Sequence, residues 1–219
     1  MNDSSTCALA RAASALLPCR GRPRAQEVAQ IGERILDAAW SLLLEIGPEA
    51  LTLDKLASAA RASKQTIYAR HDGKRALLLA VLERRVDVRT EGLDVLPDLP
   101  TPHAAFAAFL AQSVAAFNQP EKLMLDRVID WIDTQRADDG DSARPTRLAL
   151  ADRFQAVMEA HIDTAITRWG LTIADRPMAA RLWLAGVTGY MRSCADDEAG
   201  MARWVEAFTA FYLRGVAGI

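Results

Sequence analysis

The sequence has little that announces a chemistry. Its three cysteines, Cys7, Cys19 and Cys194, are an odd number without metal-ligand spacing, which argues against a disulfide scaffold or a structural zinc site and suits the reduced thiols of a cytoplasmic protein. The best membrane candidate, residues 182–191, is 10 residues long and flanked by Arg181 and Arg192. That is well short of the ~20 needed to span a bilayer, so no membrane partner is expected. Gly-rich phosphate loops, a G-x-S-x-G elbow and an H-E-x-x-H pair are all missing, and His71, His103 and His161 share no metal spacing. No catalytic, cofactor or metal site is therefore expected, and the chain reads as a non-enzyme. β-type alternation is absent too. Finally, 26 basic against 28 acidic side chains leave a net charge of −2, so no overall positive field advertises a nucleic-acid partner.

What is present is a 219-residue chain, 51% hydrophobic, with ample apolar material for a core. Its charge is divided along the sequence. Residues 20–90 hold 13 Lys/Arg against 9 Asp/Glu, net +4, whereas residues 91–219 hold 12 against 18, net −6. Apolar residues recur at 3–4 residue spacing, which predicts an all-α protein of about nine helices at 26–46, 53–60, 63–70, 74–92, 102–118, 121–136, 145–169, 176–195 and 198–216. The first helix presents Val28, Ile31, Ile35, Ala38, Leu42 and Ile46, and Gly47-Pro48 should stop it. Residues 1–25 are expected to be a disordered extension ending in a basic arm. Residues 26–73 would form one small domain and 74–219 a larger one, with helix 74–92 joining them. The acidic stretch 133–147 is expected to be an exposed, mobile loop.

Residues 52–70 have the size of a helix-turn-helix, whose second helix lies in the DNA major groove. Thr52 and Ser63 are natural N-caps. Leu56 and Ile67 fall on the core side, while Ser63, Lys64, Gln65, Thr66 and Tyr68 crowd the start of the third helix, where base edges are met in this motif. Upstream, Arg20, Arg22 and Arg24 form a basic arm suited to a narrow minor groove, the alternative being a solvated tail.

The run TLDKLASAARASKQTIYARHDGKRALL resembles the DNA-binding domain of TetR-family transcriptional regulators, over about residues 27–80. That resemblance implies DNA contacts at Thr52, Ser63, Lys64, Gln65, Thr66, Tyr68, Arg70 and Lys74, with Arg22 and Arg24 in the arm. Three departures from the family pattern stand out. Arg61 stands where glycine is frequent in the turn, and a left-handed backbone there would cost about 1 kcal/mol. Gln65 replaces a small residue and could bond adenine bidentately. Arg70-His71 replaces a frequent His-Phe pair, removing the aromatic plug between the third and fourth helices.

Downstream, Phe106, Phe109 and Phe117 share a face of the fifth helix, with Met124 and Trp131 on the sixth and Phe154, Met158, His161 and Trp169 on the seventh. These residues could be plain core or could line an apolar cavity for a small-molecule effector. His161 fits both a hydrogen-bonded core histidine and a ligand contact. The last two helices are apolar on two sides, and Trp183, Val187, Tyr190, Trp204, Phe208 and Phe211 are expected to cover a partner. The resemblance implies a homodimer on palindromic double-stranded DNA, acting as a ligand-responsive repressor released by an apolar or aromatic effector. An activator of the same family stays open, as does a helical ligand-binding protein whose helix-turn-helix is merely structural.

Overall fold

The computed structural model describes residues 25–117, 121–193 and 197–217, and these contain nine helices and no strand. Arg22 and Arg24 lie outside the described residues. Helix α1 (Ala25–Ala50) buries Ile35, Ala39 and Leu43 completely, with Ala38 and Leu42 flanking them. The buried stripe is thus centred about one position beyond the expected one. Its helical path breaks at Gly47 (φ 77°, ψ 169°), as the Gly47-Pro48 pair predicts. A Cβ on Gly47 would also come within 2.7 Å of the Arg127 guanidinium, so the position excludes a side chain twice over. Helices α2 (Leu53–Ala59) and α3 (Lys64–Tyr68) are short, and α4 (Gly73–Thr90) is long. Helices α5 (Pro102–Phe117), α6 (Lys122–Asp138), α7 (Thr146–Trp169), α8 (Arg176–Ser193) and α9 (Glu198–Ala217) follow.

Two buried clusters organise these helices. The first joins Leu56 and Ile67 to Leu77, Val81, Leu82 and Val86 of α4, and takes in Val128, Ile129 and Ile132 of α6. The second is built from α5, α7, α8 and α9 together with Leu93 and Leu96 of the α4–α5 connection. The division expected at residue 73 is therefore not where the cores part: α4 and α6 pack with the helix-turn-helix. Helix α7 serves both, through Leu150 and Phe154 at one end and Met158, Ile162 and Ala165 further along.

Charged pairs reinforce the first cluster. Arg84 reaches Glu33 (2.6 Å) and Asp37 (2.8 Å) across α1 and α4, and Arg127 of α6 holds Glu49 (2.7 Å). The acidic stretch expected to be a mobile loop is tied down instead. Asp141 pairs with Arg75 of α4 and with Arg136, both at 3.3 Å, and accepts the Ala143 N–H. That backbone hydrogen bond, with the two arginines, holds its carboxyl below the usual value. Asp133 accepts the Thr146 N–H at 2.7 Å and so starts α7.

The second cluster is centred on Trp183, whose ring centroid lies 5.0–5.7 Å from those of Phe106, Phe109, Phe208 and Tyr212. Offset and tilted aromatic pairs of this kind add to the burial itself. Gly186 makes room for Phe208, which a Cβ there would meet at 2.1 Å.

Candidate nucleic-acid interface and ligand cavity

The local sequence builds the helix-turn-helix through its caps. Thr52 Oγ1 accepts from the Lys55 N–H (3.3 Å) to open α2, and Ser63 Oγ accepts from the Thr66 N–H (3.0 Å) to open α3. Between them, Arg61 is in the left-handed region (φ 48°), the strained turn that glycine would relieve, and the turn closes with Ala62 N–H donating to Ala57 O at 3.0 Å. Leu56 and Ile67 are fully buried and fix the pair of helices on α1 and α4.

This anchoring leaves Ser63, Lys64, Gln65 and Tyr68 exposed along one side of α3, with Tyr68 57% accessible. Thr66 is half-buried, and its hydroxyl lies 2.8 Å from Ser63 Oγ. Lys64 pairs with Asp54 of α2, which accepts its hydrogen bond and raises the ammonium pKa above the ordinary lysine value. Arg70 turns back to donate to Thr66 O (3.2 Å), its guanidinium lying over Gly32 of α1. His71, in place of the absent aromatic, is half-buried. Burial, and then the neighbouring Arg70, lower its pKa.

Lys74 has intramolecular partners of its own. Its ammonium donates to Glu49 O (3.2 Å) and stands 4.5 Å from the centre of the Trp131 ring on α6. Burial lowers its pKa, with Glu49 opposing. A cation grouped with the DNA contacts and an aromatic grouped with the effector site thus meet each other.

A cavity of about 450 Å³ lies between α4, α5, α7 and α8, within the size range of small-molecule sites. Phe109, Phe117, Phe154 and Met158 line it, as their spacing suggested. The other expected members do not. Phe106 is buried in the Trp183 cluster, and Trp169 packs against that cluster. Met124 and Trp131 belong to the first core. These four sit on faces turned away from the gap, which helical spacing cannot distinguish. His161 is 1% exposed and lies behind the wall, edge-on to Phe109 with centroids 4.5 Å apart. Its Nε2 bonds Leu93 O at 2.8 Å. Burial lowers its pKa, so it is neutral at pH 7 and donates that hydrogen bond.

Two residues assigned to a partner surface turn inward instead: Trp183 (2% exposed) and Val187 are buried and line the cavity. Tyr190 is also buried and stacks on Trp204, with centroids 4.0 Å apart. Phe208 packs within the aromatic cluster, and of the six only Phe211 is widely exposed, at 71%. On α8, Met178 and Leu182 are exposed apolar residues that belonged to neither stripe read from the sequence. The cavity also takes in Asp87, Thr90, Glu91 and Asp94 at the end of α4 and just beyond it, and Arg153 and Thr188 opposite. Polar residues of this kind carry no apolar periodicity and left no signal.

A single helix connects the two sites. Lys74 and Arg75 at one end of α4 lie beside the helix-turn-helix, and Asp87 and Thr90 at the other end form cavity wall. Among the described residues, no group of three or more His, Cys, Asp and Glu side chains could hold a metal ion, and no helix is long and apolar enough to cross a membrane.

This arrangement is a helix-turn-helix with an appended helical body that encloses a cavity. Residues 35–81 match the model of bacterial regulatory proteins of the tetR family. It is 39% identical over 95 residues to the uncharacterized HTH-type transcriptional regulator YdeS of Bacillus subtilis, covering 42% of this chain and 46% of that protein. The chain therefore aligns with under half of that relative's length. It is 26% identical over 152 residues to the HTH-type transcriptional regulator SrpR of Pseudomonas putida, covering 69% and 68% of the two chains. The same fold is found in the crystal structure of a TetR-family regulator from Mesorhizobium loti, with a TM-score of 0.68 at 20% identity over 87% of this chain and 98% of the other.

Proposed function

We propose that this protein is a ligand-responsive transcriptional repressor that binds palindromic DNA as a homodimer. The observation that carries the reading is α4: one rigid helix has the helix-turn-helix packed at its start and cavity wall at its end. A ligand that displaces the Asp87–Thr90 end relative to α7 therefore moves α3, and by linkage weakens DNA binding by the factor with which DNA weakens ligand binding. In this reading Ser63, Lys64, Gln65, Thr66 and Tyr68 enter the major groove. Thr52, Arg70, Lys74 and the Arg22–Arg24 arm hold phosphates or the minor groove. Residues 26–73 act as the reader, with α4 and α6 as its support. The exposed Met178, Leu182 and Phe211 favour a second copy against the α8–α9 side. Two-fold symmetry would then place the two α3 helices about 34 Å apart.

The test is selection of bound duplexes from a random pool by the full chain, followed by titration of a selected duplex with apolar ligands. The expected result is an inverted repeat with half-sites one helical turn apart, released by ligand. Enrichment of no sequence would reject a DNA-reading role and favour a ligand-binding protein with a structural helix-turn-helix. Enrichment of a single unrepeated half-site would reject the dimer.

A further inference from the structure

The hydroxyls of the cavity are all engaged in the same way. Three hydroxyls border it, and each already donates its proton to its own helix: Thr90 to Val86 O (2.9 Å), Ser113 to Phe109 O (2.8 Å) and Thr188 to Leu184 O (2.7 Å). What they can still offer a ligand is acceptor lone pairs. The one cation in the lining, Arg153, is bound to Asp87 at 2.5 Å. Glu91 and Asp94 stand exposed at the mouth without a counter-ion among the described residues. The lining therefore carries three carboxylates against one guanidinium, a net charge of −2. Behind this rim the walls are aromatic faces and edges: Phe109, Phe117, Phe154 and Trp183.

We infer that the cavity takes an apolar, aromatic-sized monocation bearing N–H donors, a protonated amine on a ring system. Its body would lie among Phe109, Phe117 and Phe154, and its ammonium at Glu91 and Asp94. This rests on the reading of the cavity as the effector site. Aromatic faces attract cations, and acceptor-only hydroxyls suit an N–H donor. A carboxylate ligand would meet two unpaired like charges and would have to take Arg153 from Asp87. A neutral ligand would leave the rim charges unanswered.

The experiment titrates the full chain, without DNA, by calorimetry with three probes on one ring system: biphenyl-4-ylmethylamine, the corresponding alcohol, and biphenyl-4-carboxylic acid. The expected order is amine over alcohol over acid, with the amine at least about tenfold tighter than the acid, as one charge contact near a protein surface supplies. In the double variant Glu91→Gln/Asp94→Asn that ratio should fall by about tenfold or more. Binding of the acid as tightly as the amine, or a ratio unchanged in the double variant, would overturn the cation assignment and leave the effector cavity standing. Binding of none of the three would overturn both. DNA reading is tested separately by sequence selection, so its failure cannot be mistaken for either result.

Discussion

The two lobes hold themselves together differently. Around the helix-turn-helix, short helices are fixed by caps, by two fully buried anchors (Leu56 and Ile67), and by ion pairs reaching in from α4 and α6. Around the cavity, long helices are held by an aromatic cluster centred on Trp183, with a gap left on one side. The first design presents a rigid polar edge that five residues can share. The second keeps an apolar space open against collapse, because large rings brace its walls. The two lobes therefore draw on different physics, directional hydrogen bonds in one and bulk burial in the other. Helix α4 belongs to both.

Substitutions can break this contrast, beginning with the second lobe. Trp183→Ala removes the central ring of the aromatic cluster and should lower the unfolding free energy by about 3–5 kcal/mol. Urea denaturation reads this directly, and wild-type stability in the variant would mean that the cluster does not brace the cavity. In the first lobe the comparable loss is directional and smaller. Ser63→Ala removes the α3 cap and should cost about 1 kcal/mol. Because it loosens the start of α3, it should also weaken DNA binding; a variant with unaltered stability and DNA affinity would leave the cap without the importance assigned here.

Lys74→Ala addresses the junction. It should weaken binding to every duplex alike and make the salt dependence shallower by about one unit of slope. Fluorescence anisotropy across a salt series measures both. An unchanged slope would leave Lys74 as a purely structural partner of Glu49 and Trp131.

The smallest expected effect is one of pH. Burial lowers the folded-state pKa of His161 below 6.5, so as pH falls through 6.5 the unfolded chain takes up a proton that the folded chain refuses. Stability from this residue is therefore present above pH 6.5 and declines below it, until the lowered folded value is reached. His71 acts in the same direction from a half-buried position. Thermal melts from pH 7.5 to 5.5 should show the decline, reduced in His161→Gln. A variant as pH-sensitive as the wild type would assign the effect to other groups.

Much of this was legible in the sequence. The nine helices of the described residues and both caps of the helix-turn-helix could be read, because Thr52, Ser63 and Gly47 act locally on backbone groups that lie within a few residues. Rotation about a helix axis was harder to read. Helix α8 is apolar on two sides, and nothing in its own spacing says which side meets the core. Trp183 and Val187 therefore turned inward, and Met178 and Leu182 are the ones left exposed. Partnership between distant segments was hidden for the same reason. Helix α6 packs on the helix-turn-helix lobe through Val128, Ile129 and Ile132, with Lys74 meeting Trp131 and Glu49 meeting Arg127 at the edge, and none of these long-range contacts has a sequence signature. The polar rim of the cavity was invisible because its residues come from four separate helices and one connection.

In the proposed function the exposed edge of α3 reads base sequence. This is tested most directly by selecting bound duplexes with the wild-type chain and with Gln65→Ala side by side. The wild type should select an inverted repeat, and the variant should show a relaxed preference at one symmetry-related position of each half-site, worth about 1–3 kcal/mol of discrimination. Identical base preferences for the two proteins would contradict it.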